Sequence, residues 1–267
     1  VRRLKAQGAH SIKNYNQPRR EQRQQVIAAA LVENMRSVAE GGSLFGFDMT
    51  LIADGNTTVE HNIPLSTFYD DVLQFFSKSK TGYTPTLVVT YGGPAGDPYW
   101  RAHTDVWRNP LLQKHEPPSI LNAANARRQI APEEDYVDDD NAREARKLAK
   151  LGVPVSIGAH GQEPGIAAHW ELWSFVRGGM SPIEALAAGT INAARSLGYD
   201  RDVGSLEAGK LADLVILDAD PSADIRNSDK ISKVMIGGRL YDAATLNEEI
   251  TGTRKRKPYF WEQSAGS

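Results

Sequence analysis

Apolar and polar positions along the chain switch between two periods. Short runs with alternate residues apolar or β-branched are followed by longer stretches with apolar residues every three or four positions, the rhythm of strands feeding helices. Five such units can be counted. Residues 9–16 (AHSIKNYN) read as a strand and 19–35 (RREQRQQVIAAALVENM) as its helix. Residues 36–42 (RSVAEGG) read as a second strand ending in a glycine turn, with a helix over 43–55. Residues 57–62 (TTVEHN) give the third strand, and 66–80 (STFYDDVLQFFSKSK) its helix, with Ser66 at the N-cap. The fourth strand spans 84–93 (TPTLVVTYGG), rich in β-branched residues, and the fifth 153–160 (VPVSIGAH). Two helices follow, 165–179 and 181–198, the second with Ser181 as its cap and Pro182 at its first position. The alternation predicts a parallel sheet wrapped by helices.

Three stretches break the rhythm. Residues 94–131 are punctuated by proline and carry Trp100, Trp107, His103 and His115; their length makes them a candidate lid or binding loop. The acidic run 133–140 (EEDYVDDD) precedes a helical pattern, where negative charge suits the start of the helix dipole. Beyond residue 203 the texture changes to two short strand patterns with Gly and Asp turns, 204–220 and 231–242, which predict a small β subdomain. The tail turns basic and then aromatic, and Tyr259, Phe260 and Trp261 are expected to dock on the body. The division expected is a barrel part over 1–203, a β segment over 204–248 and a tail over 249–267.

Composition narrows the function classes. A chain of 267 residues that is 40% hydrophobic can bury one large core, or a large and a small one. Lys and Arg number 31 against 33 Asp and Glu, a formal charge of −2, so no strong field draws the chain to nucleic acid or to a membrane surface. The expected partners are small molecules or other subunits. Without cysteine, any metal would sit on His, carboxylate or a modified Lys. No apolar run approaches the roughly 20 residues of a membrane span. The opening VRRLKAQGAH has neither a signal peptide's apolar core nor an initiator Met, and reads as the interior of a longer product.

In a barrel of parallel strands, functional groups lie at the C-terminal strand ends. The polar residues there are Lys13, Glu40, Glu60 with His61, Thr90 with Tyr91, and His160. Two His, a Glu and a Lys can converge on one cavity, and N and O donors of this kind suit zinc or a similar divalent ion. Each has a plainer reading. Lys13 is either a solvated lysine or one buried at a barrel mouth, where its pKa falls and CO2 can carbamylate it. Glu40 caps the next helix or ligates. His61 and His160 are core histidines or ligands. Tyr91 packs, or donates to a developing oxyanion. His169 does not share a helix face with Glu171 two residues on, and reads as a supporting or packing residue.

The stretch GMSPIEALAAGTINAARSLGYDRDVGSLEAGKLADLVILDADPSADI (179–225) resembles the closing segment of the amidohydrolase superfamily. The segments IKNY, TTVEHN and VSIGAH then resemble that superfamily's fourth, sixth and eighth barrel strands, most of all in its imidazolonepropionase-like and prolidase-like members fused to a β-propeller. The resemblance implies an α/β fold, a (β/α)8 TIM barrel of which this chain supplies roughly strands four to eight, with a small β-sandwich subdomain. It implies one or two divalent ions, Zn2+ or similar, that activate water against a peptide-like or cyclic amide C–N bond of a small molecule. Lys13 matches the lysine that is carboxylated in binuclear members, and His61 the sixth-strand histidine ligand. Glu40 stands where the fifth strand usually offers histidine, and His160 where the eighth usually ends in aspartate. Proton transfer would then fall to His160 or to nearby Glu163, or activity is lost and the chain is a degenerate member that only binds its ligand. The superfamily's first-strand His-X-His is absent, and five strand–helix units cannot close eight strands. The remaining strands and ligands are therefore expected on an upstream N-terminal half of the same protein, as in a partial or a cleaved chain. Homo-oligomerisation and a periplasmic or extracytoplasmic location, with the cytoplasm as the alternative, follow from the same resemblance.

Overall fold

The structure, a computed structural model, describes residues 1–15, 17 and 19–263. The expected end of the first strand at Asn16 and the tail residues 264–267 lie outside the described residues. After a short helix α1 (Arg2–Ala6), β1 (Ser11–Asn14) leads into α2 (Arg20–Val32), β2 (Arg36–Glu40) into α3 (Phe45–Ala53), and β3 (Thr58–Glu60) into α4 (Asp70–Ser79). β4 (Gly82–Thr84) is followed by α5 (Gly96–His103), α6 (Pro110–His115), α7 (Pro118–Ala126) and α8 (Asp138–Lys150). Next come α9 (Ile166–Arg177), α10 (Pro182–Ala188) and α11 (Ile191–Leu197), then β5 (Leu214–Leu217), β6 (Ile231–Ile236), β7 (Arg239–Asp242) and a last turn α12 (Phe260–Gln263).

The first four strands form one parallel sheet in chain order, β1-β2-β3-β4, as the strand–helix rhythm predicts. Its two faces differ. Ala39, Val59 and Tyr83 point outward and join Leu51, Ile52, Phe76, Leu148 and Trp170 in the core beneath the helices. Val38, Glu40, Thr58, Glu60 and Thr84 alternate with them and line an open cavity instead. Residues 153–160 run beside β4 but share one isolated bridge with it, Tyr83 to Val155, so the expected fifth strand is an extended segment pinned at one point.

Several boundaries differ from expectation, each for a physical reason. The fourth strand ends at Thr84 and not near 93. Pro85 has no N–H for a ladder and Thr86 turns the chain at φ +53°, so Leu87–Val89 form a buried 3-10 turn. The helix expected from Ser66 starts at Asp70, because buried Phe68 gives its N–H to the Glu144 carboxylate at 2.8 Å and stays extended. The stretch 94–131 is not a loop: three helices and a 3-10 turn occupy it, and Trp100, Leu112 and Leu121 are core residues. Trp100 packs edge-on against Trp173 and donates to Ser174 Oγ at 2.8 Å, which removes it from any substrate wall. Residues 181–198 form two helices with a break at Gly189–Thr190. The expected cap at Ser181 is present as a capping box: Glu184 N–H donates to Ser181 Oγ at 3.3 Å and Ser181 N–H to Glu184 Oε2 at 2.7 Å. Three strands, not two, build the antiparallel sheet β5-β6-β7. In the tail Tyr259 docks, its hydroxyl 2.8 Å from His115 Nδ1, whereas Phe260 is largely exposed.

Candidate functional site

The parallel register sets the acidic pair side by side, since Glu40 of β2 lies opposite Glu60 of β3, and Glu60 opposite Thr84 of β4. All three line a cavity of about 470 Å³ together with Lys13, His61 and His160. Five of the seven residues that the strand-end pattern names, Lys13, Glu40, Glu60, His61 and His160, are thus brought to one place.

Lys13 forms an ion pair with the Glu40 carboxylate and lies 4.6 Å over the Tyr15 ring; its side chain is 63% exposed. Glu60 accepts from Thr58 Oγ1 at 2.7 Å, and burial raises its pKa against the pull of Thr58, Thr84 and Lys13. His61 and His160 both have left-handed backbones, φ +70° and +55°, so the chain turns sharply where each imidazole is presented. Their rings meet edge to face with centroids 5.1 Å apart. His61 is 7% exposed and its Nδ1 is buried without a partner. Burial holds its pKa below the usual histidine value, and the neighbouring His160 lowers it further. His160 is exposed, with Nδ1 3.2 Å from Gln162 Oε1.

Tyr91 does not line the cavity, but its ring lies 5.8 Å from that of His61, and Asn62 holds its backbone by accepting its N–H at 2.7 Å and donating to its carbonyl at 3.2 Å. Glu163 is elsewhere. It is buried in an ion pair with Arg101 at 2.6 Å and does not line the cavity. His169 is also apart, its Nδ1 3.0 Å from Ser228 Oγ, which fits a supporting role in packing. One residue escapes sequence reasoning. Glu171 gives no local signal, because what it holds lies far away in sequence.

Among the described residues, no three His, Asp or Glu side chains stand close enough together to hold a metal ion. The donors present suit one chemically: two imidazoles, one with a buried nitrogen that lacks a partner, and carboxylates beside them.

Residues 115–241 match the model of the amidohydrolase family. Just under half of the chain is thus similar to that family. Curated relatives include the imidazolonepropionases of Symbiobacterium thermophilum, 46% identical over 77 residues, and of Syntrophobacter fumaroxidans, 39% identical over 114 residues. The first match covers 27% of this chain and 18% of the relative, the second 40% and 26%. The match thus spans about a fifth to a quarter of those relatives' length. Among solved structures, a Xaa-Pro dipeptidase with bound methionine superposes with a TM-score of 0.65 at 21% identity, over 91% of this chain and 57% of that one. The ochratoxinase of A. niger gives 0.62 at 24%, over 91% and 53%. These likenesses show a TIM-barrel-type α/β fold for this chain. His160, Glu163 and His169 lie inside the segment matched by the family; Lys13, Glu40, His61 and Tyr91 precede it.

Proposed function

We propose that this chain is the C-terminal barrel portion of a metal-dependent hydrolase acting on an amide-type C–N bond, peptide-like or cyclic, of a small molecule. The observation that carries the reading is the convergence of His61, His160, Glu40 and Glu60 on one cavity at the C-terminal edge of the parallel sheet. The amidohydrolase match supports the bond class, and the activities of similar proteins, an imidazolonepropionase and a Xaa-Pro dipeptidase, support the substrate class. Residues 1–203 would supply roughly barrel strands four to eight, 204–248 a segment of a β-sandwich, and 249–267 a tail. An upstream half of the same protein would close the barrel and complete the ligand set, in a homo-oligomer with an extracytoplasmic home.

His61 and His160, with Glu40 once it is released from Lys13, would hold one or two divalent ions of the zinc kind. Lys13 would join them if carboxylated. Such an ion supplies Lewis acidity and a bound water of lowered pKa. The chain's own groups do the rest. Where His160 is left out of the ligand set, its exposed imidazole moves the proton, a task that Arg101 keeps from Glu163. Tyr91 donates its hydroxyl to the oxygen that gains charge, and burial, which raises its pKa, keeps it protonated for that task.

The test is elemental analysis of the native full-length protein together with turnover on dipeptide and cyclic-amide libraries. One or two ions per chain and hydrolysis that fails in His61→Ala are expected. A second reading, a ligand-binding module without turnover, is favoured by the Lys13–Glu40 ion pair and by histidine at position 160. Ligand binding that survives His61→Ala, with no turnover in the parent, would establish it.

A further inference from the structure

Helix α9 carries a carboxylate that the chemistry above does not use. Glu171 is fully buried, and no Lys, Arg or His side chain pairs with it among the described residues. Its Oε1 accepts the Val88 N–H at 2.7 Å and its Oε2 accepts the Gly158 N–H at 3.1 Å. Burial pushes its pKa up to about 8 against the pull of these amides and that of Leu87. A buried carboxylate is costly unless its oxygens are satisfied, so both bonds matter to the fold.

The two amides belong to segments that have left the β-ladder. β4 stops at Thr84, and the segment beside it makes its last ladder bonds as Tyr83 N–H to Pro154 O and Ser156 N–H to Tyr83 O, both 2.9 Å. Beyond them Ile157 turns its N–H to Ala188 O at 3.3 Å, and Gly158 turns to Glu171. Gly158 is required there, because a Cβ would fall 2.6 Å from Thr86 Oγ1. The carboxylate therefore stands where the sheet would have continued, and bridges the two strand ends. His160 hangs two residues beyond one of its contacts and Tyr91 three beyond the other.

We propose that Glu171 is a positioning residue for the candidate site: by clamping the Val88 and Gly158 amides it sets where His160 and Tyr91 stand relative to His61. The proposal rests on the reading of the cavity as a metal-binding hydrolytic site, but the clamp can be read without metal.

Above pH 8, where Glu171 is a carboxylate with two acceptor oxygens, glutamine offers only one and its NH2 would face the other amide donor, so one anchor is lost. The control is Ser174→Ala, which removes an equally buried polar group of α9 that serves Trp100 and Asp138 instead. In the wild-type full-length protein the Val88 and Gly158 amides should exchange slowly with deuterium. In Glu171→Gln at least one should speed up, and the imidazole ¹H–¹⁵N signals of metal-free His61 and His160 should shift, with neither change in Ser174→Ala. Zn2+ affinity should fall about 10–100-fold, the usual loss when a group that orients ligands is removed. A Gly158 amide that exchanges at loop rates in the wild type overturns the proposal, and that measurement decides the matter if Glu171→Gln does not fold. So do identical imidazole signals in the Gln and Ala variants. Should the wild type bind no Zn2+ while the amide and imidazole changes occur, the clamp stands and the metal reading fails.

Discussion

Two clusters of this chain draw on the same side-chain chemistry and put it to different use. At the cavity, Lys13, Glu40, Glu60, His61 and His160 face open space; in the interior, Arg101 gathers Asp97 at 3.1 Å, Glu163 at 2.6 Å and the Asn125 amide oxygen at 3.3 Å. The interior set closes on itself. Glu163 Oε1 and Glu116 Oε2 are buried there without a hydrogen-bond partner, and burial, then the contact with Glu163, pushes Glu116 up to about 7. At the cavity the corresponding groups are incompletely used: His61 Nδ1 has no partner and the Lys13 side chain is mostly in solvent. Charge and histidine content do not separate a site from a scaffold. Unused bonding capacity that faces a cavity does.

The largest effect that would break this contrast is expected at Arg101. Arg101→Met leaves buried Glu163 and Asp97 without their cation and should cost about 3–5 kcal/mol, the range for one partner lost from a buried pair. Urea denaturation at pH 7 measures it, as a lower midpoint with unchanged slope. A loss below 1 kcal/mol would mean that the interior cluster is as loosely held as the mouth.

At the mouth the ranking of stability and function should invert. His61→Asn keeps a residue that tolerates the left-handed backbone at φ +70°, so the thermal midpoint should move by only a few degrees. Divalent-ion affinity should nonetheless fall by more than the roughly 10–100-fold typical of outer partners. Calorimetric titration with Zn2+ checks this, and unchanged affinity would remove His61 from the proposed ligand set.

A pH series sharpens the comparison with a smaller effect. Asp48 and Glu116 are raised to about 7, chiefly by burial, and Glu171 to about 8. In this window the folded chain holds protons that the unfolded chain has released. Stability should therefore fall as pH rises from about 4.5 to about 8, and level off above that. Depressed carboxylates such as Glu248, at about 2, act in the opposite sense only below pH 4.5. Glu116→Gln should flatten part of the decline when melting is followed from pH 5 to 8; an unchanged slope would show that Glu116 is already ionised in the fold.

How much of this was legible beforehand depends on the range of the interaction involved. The strand–helix order from Ser11 to Thr84 follows from local periodicity, and the parallel sheet follows from that order. The residues Lys13, Glu40, His61 and His160 are legible because functional groups of a parallel barrel lie at the C-terminal ends of its strands. Failures came where a distant partner decided the local structure. Phe68 is kept out of its helix by Glu144, 76 positions away, and Leu87–Val89 are drawn from strand into turn with the help of Glu171, 83 positions from Val88. The surroundings of Glu163 are not legible for the same reason, since its partner Arg101 lies 62 residues before it and in a segment read as a loop.

The smallest stability effect, and the finest discrimination, comes from Lys13. Its exposed pair with Glu40 should contribute no more than about 1 kcal/mol, so Lys13→Met should melt near the wild type. Ion binding then separates two roles. If Lys13 is only the counter-ion of Glu40, its removal frees a carboxylate for the cavity, and Zn2+ affinity should rise. If carboxylated Lys13 is itself a ligand, affinity should fall, and added bicarbonate, which supplies CO2 for the carbamate, should strengthen binding in the wild type and not in the variant. Either result identifies which member of the pair faces the metal, and so whether the ion pair in this structure is the resting form of a ligand or its competitor.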